Sequence, residues 1–300
     1  MSNYPSLAKI INDALFETKL IHNKYFGKKE ARLEGKFGGD SKGDAVTKAD
    51  KETEEKLREH YAKFLPEYNF LGEETGETAR YNGNGWFTIN DPLDGTWNYQ
   101  RGIKNFGAIT SICKDGLVIA AGYSNTPKEQ TFIAVREDRI LMINAGRERY
   151  HRIEPKIYLG MGPTDDPEQI KELTALVKEQ FPGVQLEETG AAINAACVFA
   201  GRWPVFFHTG LAQHDISPIS VFSALTGISA TDHHGNPYTA IDPVAEIKKY
   251  QAGRQEVLYH NPILIAAPRD HEKMLRILER FNSFLDAKQL VGFRHARETN

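Results

Sequence analysis

The segment Asp91-Pro92-Leu93-Asp94-Gly95-Thr96 contains the residue types best suited to chemistry in this chain. Its two carboxylates stand three residues apart around a proline, and Mg²⁺ prefers such oxygen ligands together with substrate phosphate. Gly95 and Thr96 then offer backbone N–H groups and a hydroxyl to an anion, above all if a helix begins there. The segment therefore joins both requirements of metal-assisted phosphate chemistry, although Asp, Pro and Gly are equally typical of an ordinary turn.

A second acidic pair, Glu73-Glu74, follows a short apolar run that is predicted to be a strand. Adjacent strand residues point to opposite faces, so we expect Glu73 to reach a shared site and Glu74 to turn away. Asp91 likewise follows an apolar run, at residues 86–89, which would place it at the tip of a buried strand. With Pro92 fixing φ and Gly95 allowing an unusual one, the local pattern favours a metal site.

Two further aspartates have a structural alternative. Asp50 stands three residues after Thr47, which is typical of a capping box at a helix start. Both roles are compatible, because an acid on a first turn can also orient a nearby hydroxyl. Asp215 precedes a predicted helix, so N-capping is the alternative there.

The histidines and known nucleophile motifs give weaker signals. We expect His208, His214 and the pair His233-His234 to be surface or packing residues, because none has a convincing ligand spacing, and no zinc site is predicted. The chain lacks a Gly-x-Ser-x-Gly elbow, a phosphate-binding Gly-x-x-x-x-Gly-Lys loop and a Cys–His signature. The Asp-x-x-Asp spacing also differs from the Asp-x-Asp of aspartyl-phosphate enzymes.

Composition excludes several classes of protein. Hydrophobic residues make up 40% and charged residues 26% of the 300 residues, a globular balance, and the net charge of −3 argues against a nucleic-acid partner. There is neither an apolar stretch of membrane-spanning length nor a signal-like N-terminus, so a soluble, cytoplasmic protein without a membrane partner is expected. The apolar surroundings of Cys113 and Cys197 predict core thiols.

Hydrophobic periodicity predicts helices and strands in alternating layers, and hence a mixed α/β fold. Before a break at about 145–155, the pattern predicts helices at 5–26 and 47–64, a mobile loop at 35–43, and strands at 69–71, 86–89, 106–113, 117–123, 131–135 and 140–143. After it, the pattern predicts strands at 157–159, 205–207 and 263–265, and helices from 166 and at 190–200, 216–225 and 271–281. We therefore expect an N-terminal lobe, 1–150, with most of the acids and a C-terminal lobe, 151–300, that supplies Asp215.

Taken together, these motifs resemble the inositol monophosphatase family of Mg²⁺-dependent, often lithium-sensitive phosphatases. The likeness runs through residues 44–50, 71–74, the 91–96 segment with Asn98-Tyr99, Gly190-Ala191-Ala192, and Asp215. It implies a layered α-β-α-β-α sandwich of the kind shared with fructose-1,6-bisphosphatase, a homodimer, and two or three Mg²⁺ ions per site.

The resemblance also implies a role for each matched residue. Glu73, Asp91 and the Leu93 carbonyl would hold one Mg²⁺, and Asp91, Asp94 and Asp215 a second. Thr96, oriented by Asp50, would position the attacking water and deprotonate it together with Glu73. Phosphate oxygens would accept from the N–H groups of Gly95 and Thr96. The substrate would contact Asp94, Gly190, Ala192, His208 and Asp215.

Three departures from the family pattern bear on the substrate. His214 replaces the usual Trp, Ala191 replaces a Ser, and His208 stands where inositol-cleaving members carry a glutamate. An imidazole cannot accept two ring hydroxyls as a carboxylate does, which argues against inositol phosphate as the preferred substrate. We therefore expect hydrolysis of a small polyol or sugar phosphate. The alternatives are a 3′(2′),5′-bisphosphate nucleotide, fructose 1,6-bisphosphate, and a catalytically weak regulatory or interaction protein.

Overall fold

A computed structural model describes residues 6–28, 47–65, 67–74, 76–77, 85–144, 146, 156–160, 166–187, 192–238 and 262–286. Its α-helices are α1 Leu7–Tyr25, α2 Lys48–Phe64, α3 Thr96–Gln100, α4 Pro167–Gln180, α5 Ala195–Phe199, α6 Gln213–Ile216, α7 Ile219–Thr226 and α8 Pro268–Leu278. Short 3₁₀ turns occur at Ala192–Asn194 and Glu279–Phe281.

The strands form two sheets. They are β1 Asn69–Gly72, β2 Gly76–Glu77, β3 Trp86–Asp94, β4 Gly107–Lys114, β5 Leu117–Asn125, β6 Gln130–Val135, β7 Ile140–Asn144, β8 Lys156–Gly160, β9 Gln185–Glu187, β10 Val205–His208, β11 Ser229–Thr231 and β12 Ile263–Ala266. The first sheet has the order β2-β1-β3-β4-β5-β6-β7 and the second β11-β12-β10-β8-β9. The first is antiparallel except where β1 runs parallel to β3.

Three apolar clusters define the layers. One cluster packs α1 and α2 against one face of the first sheet. A second joins the opposite face of that sheet to α5, α7 and the near face of the second sheet. A third packs the far face of the second sheet against α4 and α8. Alternation along β10 shows the principle, because Phe206 enters the second cluster whereas Val205 and Phe207 enter the third. The predicted α-β-α-β-α layering is confirmed.

The first two helices begin where the sequence predicts. Ser6 caps α1 by accepting from the N–H of Lys9, and Thr47 and Asp50 form a complete capping box at α2. Leu57 and Tyr61 of α2 are buried, as its apolar spacing predicted. The two helices pack side by side on the first sheet.

The strand pairs of the N-terminal half are confirmed, and both cysteines are buried free thiols. Several boundaries were wrong. The helix predicted at 216–225 is divided at Ser217-Pro218 into α6 and α7, since proline has no N–H for a helical hydrogen bond. β3 extends to Asp94 instead of ending before Asp91. The short strands β2, β9 and β11 were not predicted, and α3 begins at the position where the sequence analysis considered a helix start. The loop predicted at 35–43 lies outside the described residues.

The division into lobes at about residue 150 stays a prediction. The strands of the first sheet lie within 69–144 and those of the second within 156–266, while one apolar cluster includes side chains from both sheets. Among the described residues, no helix combines the length and apolar character needed to span a membrane.

Candidate active site

A bulge in β3 brings two of the predicted acids together. Asp91 pairs with Ile109 of β4 and Asp94 pairs with Gly107, so three steps along β3 match two along β4. In a regular strand, residues three apart point to opposite faces. The extra residue restores the same face, and carboxylate oxygens of Asp91 and Asp94 both belong to one group of possible metal ligands.

The end of β3 turns directly into a helix that presents Thr96. Gly95 adopts φ of +82°, a left-handed conformation that glycine tolerates, and α3 begins at the next residue. Thr96 Oγ1 lies 2.7 Å from the Leu93 carbonyl oxygen and 3.0 Å from Asp50 Oδ1. The other Asp50 oxygen accepts from the N–H of Thr47 at 2.7 Å. Asp50 therefore caps α2 and contacts the Thr96 hydroxyl at once, as the two compatible interpretations of the sequence predicted.

Asp94 is held from the opposite side by the turn before α5. The N–H groups of Ala192 and Ile193 donate to its two oxygens at 2.9 and 2.7 Å. These backbone donors were not predicted from the sequence, because backbone N–H groups carry no signature in residue types. They connect β3 to a segment about a hundred residues later and fix the carboxylate plane.

Asp215 joins the acids of β3, but not as an N-cap residue, which corrects the sequence-based alternative. It lies inside the single turn α6, and its Oδ2 accepts from the N–H of Ala212, the residue before that turn, at 2.7 Å. Its other oxygen, Oδ1, lies 3.9 Å from His214 Nε2. Asp91, Asp94 and Asp215 thus offer ligand atoms within 4.8 Å of one another.

A second group of ligand atoms shares Asp91. It contains Glu73, Asp91 and His214, again within 4.8 Å of one another. Glu73 follows β1, and its N–H donates to the Asn90 carbonyl at 3.2 Å, which ties it to the neighbouring strand β3. The carboxylate of Asp91 therefore belongs to both groups of possible metal ligands.

The electrostatics of the cluster show how unfavourable these charges are without cations. Burial, and then repulsion from Glu73, Asp94 and Asp215, raise the pKa of Asp91 well above its usual range. Burial and the charge of Asp215 raise the pKa of Asp94 to about 8, against the opposing effect of its two backbone donors. Burial also raises the pKa of Asp50 to about 7. Buried like charges are stable only when neutralised by protons or by cations, and oxygen donors of this kind suit Mg²⁺.

His214 was expected to be an ordinary surface or packing residue, and the structure places it beside the acids. It is buried, and its Nε2 lies 3.8 Å from Glu73 Oε2 and 3.9 Å from Asp215 Oδ1. The signal was its position next to Asp215 in the sequence. It places a nitrogen donor among oxygen donors.

The structure describes the predicted substrate contacts only partly. Gly190 lies outside the described residues, and Ala192 is buried with its N–H on Asp94. His208 ends β10, where its Nδ1 accepts from the N–H of Gly210 at 3.0 Å and its ring lies beside Tyr158. It belongs to neither group of metal-ligand atoms. Its contact with substrate stays a prediction.

Comparison with known proteins agrees with this arrangement. A family model described as the inositol monophosphatase family matches residues 4–279. An inositol-1-monophosphatase of Rhizobium meliloti is 28% identical over 198 residues, which cover 64% of this chain and 73% of the relative. A fructose-1,6-bisphosphatase/inositol-1-monophosphatase of Aquifex aeolicus is 31% identical over 115 residues, 38% of this chain and 41% of that protein.

Solved structures share the fold. The extragenic suppressor protein SuhB of Bartonella henselae superposes with a TM-score of 0.71 at 22% identity, over 90% of this chain and 97% of that one. An IMPase/NADP phosphatase complexed with Mg²⁺ and phosphate superposes with a TM-score of 0.66 at 19% identity, over 90% and 93% of the two chains.

Proposed function

This chain belongs to the inositol monophosphatase family and is a phosphoric monoester hydrolase, and we propose that it cleaves a small polyol or sugar phosphate with water activated at a Mg²⁺ site. The observation that supports this most strongly is the position of Asp91, which is shared by two groups of ligand atoms. The Thr96 hydroxyl, on the turn that follows Asp91 and Asp94, contacts Asp50.

The residues fit the cations that the proposal requires. Asp91, Asp94 and Asp215 would hold one Mg²⁺. Glu73, Asp91 and the Leu93 carbonyl would hold another. The family resemblance implies two or three ions per site. Mg²⁺, when bound, stabilises the charge on phosphoryl oxygens and lowers the pKa of water. The raised pKa values of Asp91, Asp94 and Asp215 support a cation site, since a divalent ion would favour their ionised forms.

The protein groups would then have separate roles in positioning the attacking water and the phosphate. Glu73 and the Thr96 hydroxyl would position the attacking water, with Asp50 accepting the hydroxyl proton and orienting its oxygen. The N–H groups of Gly95 and Thr96 would donate to phosphate oxygens at the start of α3. Ala192 and Ile193 would keep Asp94 in place while the charge on the phosphate changes.

The leaving group is the finer part of the proposal. We infer a small polyol or sugar alcohol, bound among Asp94, Gly190, Ala192, His208 and Asp215, with inositol 1-phosphate as a poor substrate because His208 replaces a carboxylate. The curated relatives differ in name, and the one from Aquifex aeolicus is called a fructose-1,6-bisphosphatase/inositol-1-monophosphatase. Fructose 1,6-bisphosphate is therefore one alternative substrate, and a 3′(2′),5′-bisphosphate nucleotide, which the family resemblance suggests, is the other. The homodimer and the cytoplasmic location remain predictions of the same proposal.

The deciding experiment is phosphate release from an aryl phosphate and from a panel of phosphorylated metabolites, with and without Mg²⁺. Release that requires Mg²⁺ and is greatest for one sugar or polyol phosphate is the expected result. Preferred cleavage of a bisphosphate would select an alternative substrate. Complete inactivity on every compound would favour the regulatory alternative. The likeness to SuhB concerns the fold alone and does not itself favour that alternative.

A further inference from the structure

His233, His234 and Asp286 converge at a place that the proposed reaction does not use. The Nε2 atoms of His233 and His234 lie 2.9 and 2.8 Å from the same oxygen, Oδ1 of Asp286. The two imidazole centroids are 4.0 Å apart. The three residues form a group of possible ligands that shares no residue with the two groups of the active site.

The loop that carries the histidines is held by its own hydrogen bonds. Asp232 Oδ1 accepts from the N–H groups of His234 and Asn236, both at 2.9 Å, and its Oδ2 accepts from the Asn236 amide at 2.8 Å. Gly235 adopts φ of +86°, which closes the turn. Neighbouring side chains in an extended strand would diverge, but this turn directs both imidazoles to one point.

The third residue comes from a different element. Asp286 lies in the helical residues 282–286, which follow α8 and its 3₁₀ turn. The contact therefore joins the loop after β11 to a helix more than fifty positions later. The His233 side chain is completely buried, whereas those of His234 and Asp286 are 38% and 50% exposed. The place where the three side chains converge therefore has one buried residue and is accessible to solvent.

From this geometry we propose that His233, His234 and Asp286 form a second metal site, one that binds a transition-metal ion such as Zn²⁺. Two imidazoles and one carboxylate suit Zn²⁺ and do not suit Mg²⁺. Ligand atoms around a tetrahedral Zn²⁺ stand about 3.4 Å apart, so the present contacts need to open by only about half an ångström. Water from the exposed side completes the coordination.

The function of such an ion is to fix the helical residues 282–286 to the loop after β11. A metal that binds the folded chain and not the unfolded one stabilises it, and the stabilisation grows with the logarithm of the ratio of free metal to Kd. His233, being buried, supplies the rigid ligand, and the more exposed His234 and Asp286 close on the ion. This inference stands independently of the proposed phosphatase reaction, because it uses none of the residues assigned to that reaction.

Equilibrium dialysis with Zn²⁺ in a large excess of Mg²⁺ tests the site. The Asp91→Asn variant serves as the background, because it weakens any Zn²⁺ binding in the acidic cluster, and Asp215→Asn replaces it if Asp91→Asn fails to fold. We expect one Zn²⁺ per chain in this background and a Zn²⁺-dependent rise in the melting temperature. Adding His234→Asn or Asp286→Asn should weaken Zn²⁺ binding by about tenfold or more and remove the rise.

Asp270→Asn, which removes a partly exposed carboxylate in the first turn of α8, is the control for the loss of one negative charge and should leave Zn²⁺ binding unchanged. Far-UV circular dichroism establishes that every variant is folded. The proposal is overturned if the background binds no Zn²⁺, or if Asp286→Asn binds it as tightly as the background does. In either case the three residues form a hydrogen-bonded cluster only.

Discussion

Thr96 Oγ1 lies 3.0 Å from one oxygen of Asp50, while the other oxygen of Asp50 accepts from the N–H of Thr47. One carboxylate thus connects the start of α2 to the start of α3. Because the two oxygens have separate partners, the structural and the chemical contributions of Asp50 can be tested separately.

Replacing Thr96 by valine removes the hydroxyl and keeps the shape of the side chain. We expect kcat to fall by about a hundredfold or more, the usual effect of losing a group that moves or positions a proton. Thr96→Ser retains the hydroxyl and should keep most of the activity. Steady-state kinetics on an aryl phosphate at saturating Mg²⁺ measures both.

Thr47→Val is the matched control for that prediction. It removes the capping hydroxyl on the other side of Asp50, which should cost about 1 kcal/mol of the free energy of unfolding with little change in kcat. If Thr47→Val and Thr96→Val lowered kcat equally, the contact between Thr96 and Asp50 would have no special part in the reaction.

Asp91→Asn tests the shared ligand. Turnover should fall by about a thousandfold or more, because both groups of ligand atoms lose a member. The metal-free variant should be at least as stable as the wild type at pH 8, since a neutral amide replaces a buried carboxyl surrounded by like charges. Thermal unfolding with and without Mg²⁺ measures this, and the stabilisation by Mg²⁺ should disappear.

Asp138→Asn, in the exposed turn between β6 and β7, is the control for the removal of one negative charge. It should retain both activity and stabilisation by Mg²⁺. Wild-type activity in Asp91→Asn would refute the metal assignment.

Local motifs predicted part of the acidic cluster, whereas the place of Asp215 in it was implied only by the family resemblance. Asp91 and Asp94 were placed together by the residues between and after them, and Asp50 by its spacing from Thr47. The turn at Gly95, where α3 begins, was predicted as a possibility and is present.

The remaining features depend on contacts between distant parts of the chain. The donors from Ala192 and Ile193 to Asp94 use backbone atoms, which no residue type announces. The convergence of His233 with Asp286 likewise joins residues that no local pattern relates. Tertiary packing decides such features, and periodicity does not report it.

His214→Trp tests the nitrogen donor in the acidic cluster. Imidazole favours transition metals over Mg²⁺, whereas an indole provides no ligand. We expect the preference for Zn²⁺ over Mg²⁺ to fall by about tenfold or more in the variant. Isothermal titration calorimetry in an Asp286→Asn background isolates the active site from the second metal site, and an unchanged ratio of the two affinities would contradict ligation by His214.

His22 should make the protein sensitive to mild acid. It is fully buried, with one ring nitrogen 2.9 Å from Thr126 Oγ1 and the other 2.8 Å from the Pro92 carbonyl oxygen. Burial lowers its pKa from 6.5 to about 4. His22 therefore becomes protonated near pH 6.5 in the unfolded chain but only near pH 4 in the folded chain. The stability that is present above pH 6.5 is consequently lost as the pH falls from 6.5 towards 4.

Between pH 7.5 and pH 5, this difference corresponds to about 2 kcal/mol of the free energy of unfolding. His22→Gln has no such proton, so its stability should decline less over the same range by about that amount. Urea unfolding at both pH values, with a chelator present, provides the measurement. Parallel losses in the two proteins would exclude His22 as a source of acid sensitivity.

Gly72→Ala tests how the strand before Glu73 positions that residue. A Cβ added to Gly72 would overlap the carboxyl group of Glu54. Glu54 cannot move freely, because it is buried and accepts from the N–H of Glu74 at 2.9 Å and from Arg58 at 3.3 Å. The strand must therefore shift, and the residue after it shifts as well.

We expect Gly72→Ala to lower the free energy of unfolding by about 1–3 kcal/mol, the usual effect of overpacking, and to lower kcat through the displaced Glu73. Shortening the obstructing side chain in the double variant Gly72→Ala with Glu54→Ala should restore part of kcat, although Glu54→Ala alone leaves the N–H of Glu74 without its acceptor. Restoration in the double variant would identify the steric contact as the cause. If the loss of kcat in the double variant equalled the sum of the losses in the two single variants, Gly72 would act through backbone freedom, independently of Glu54.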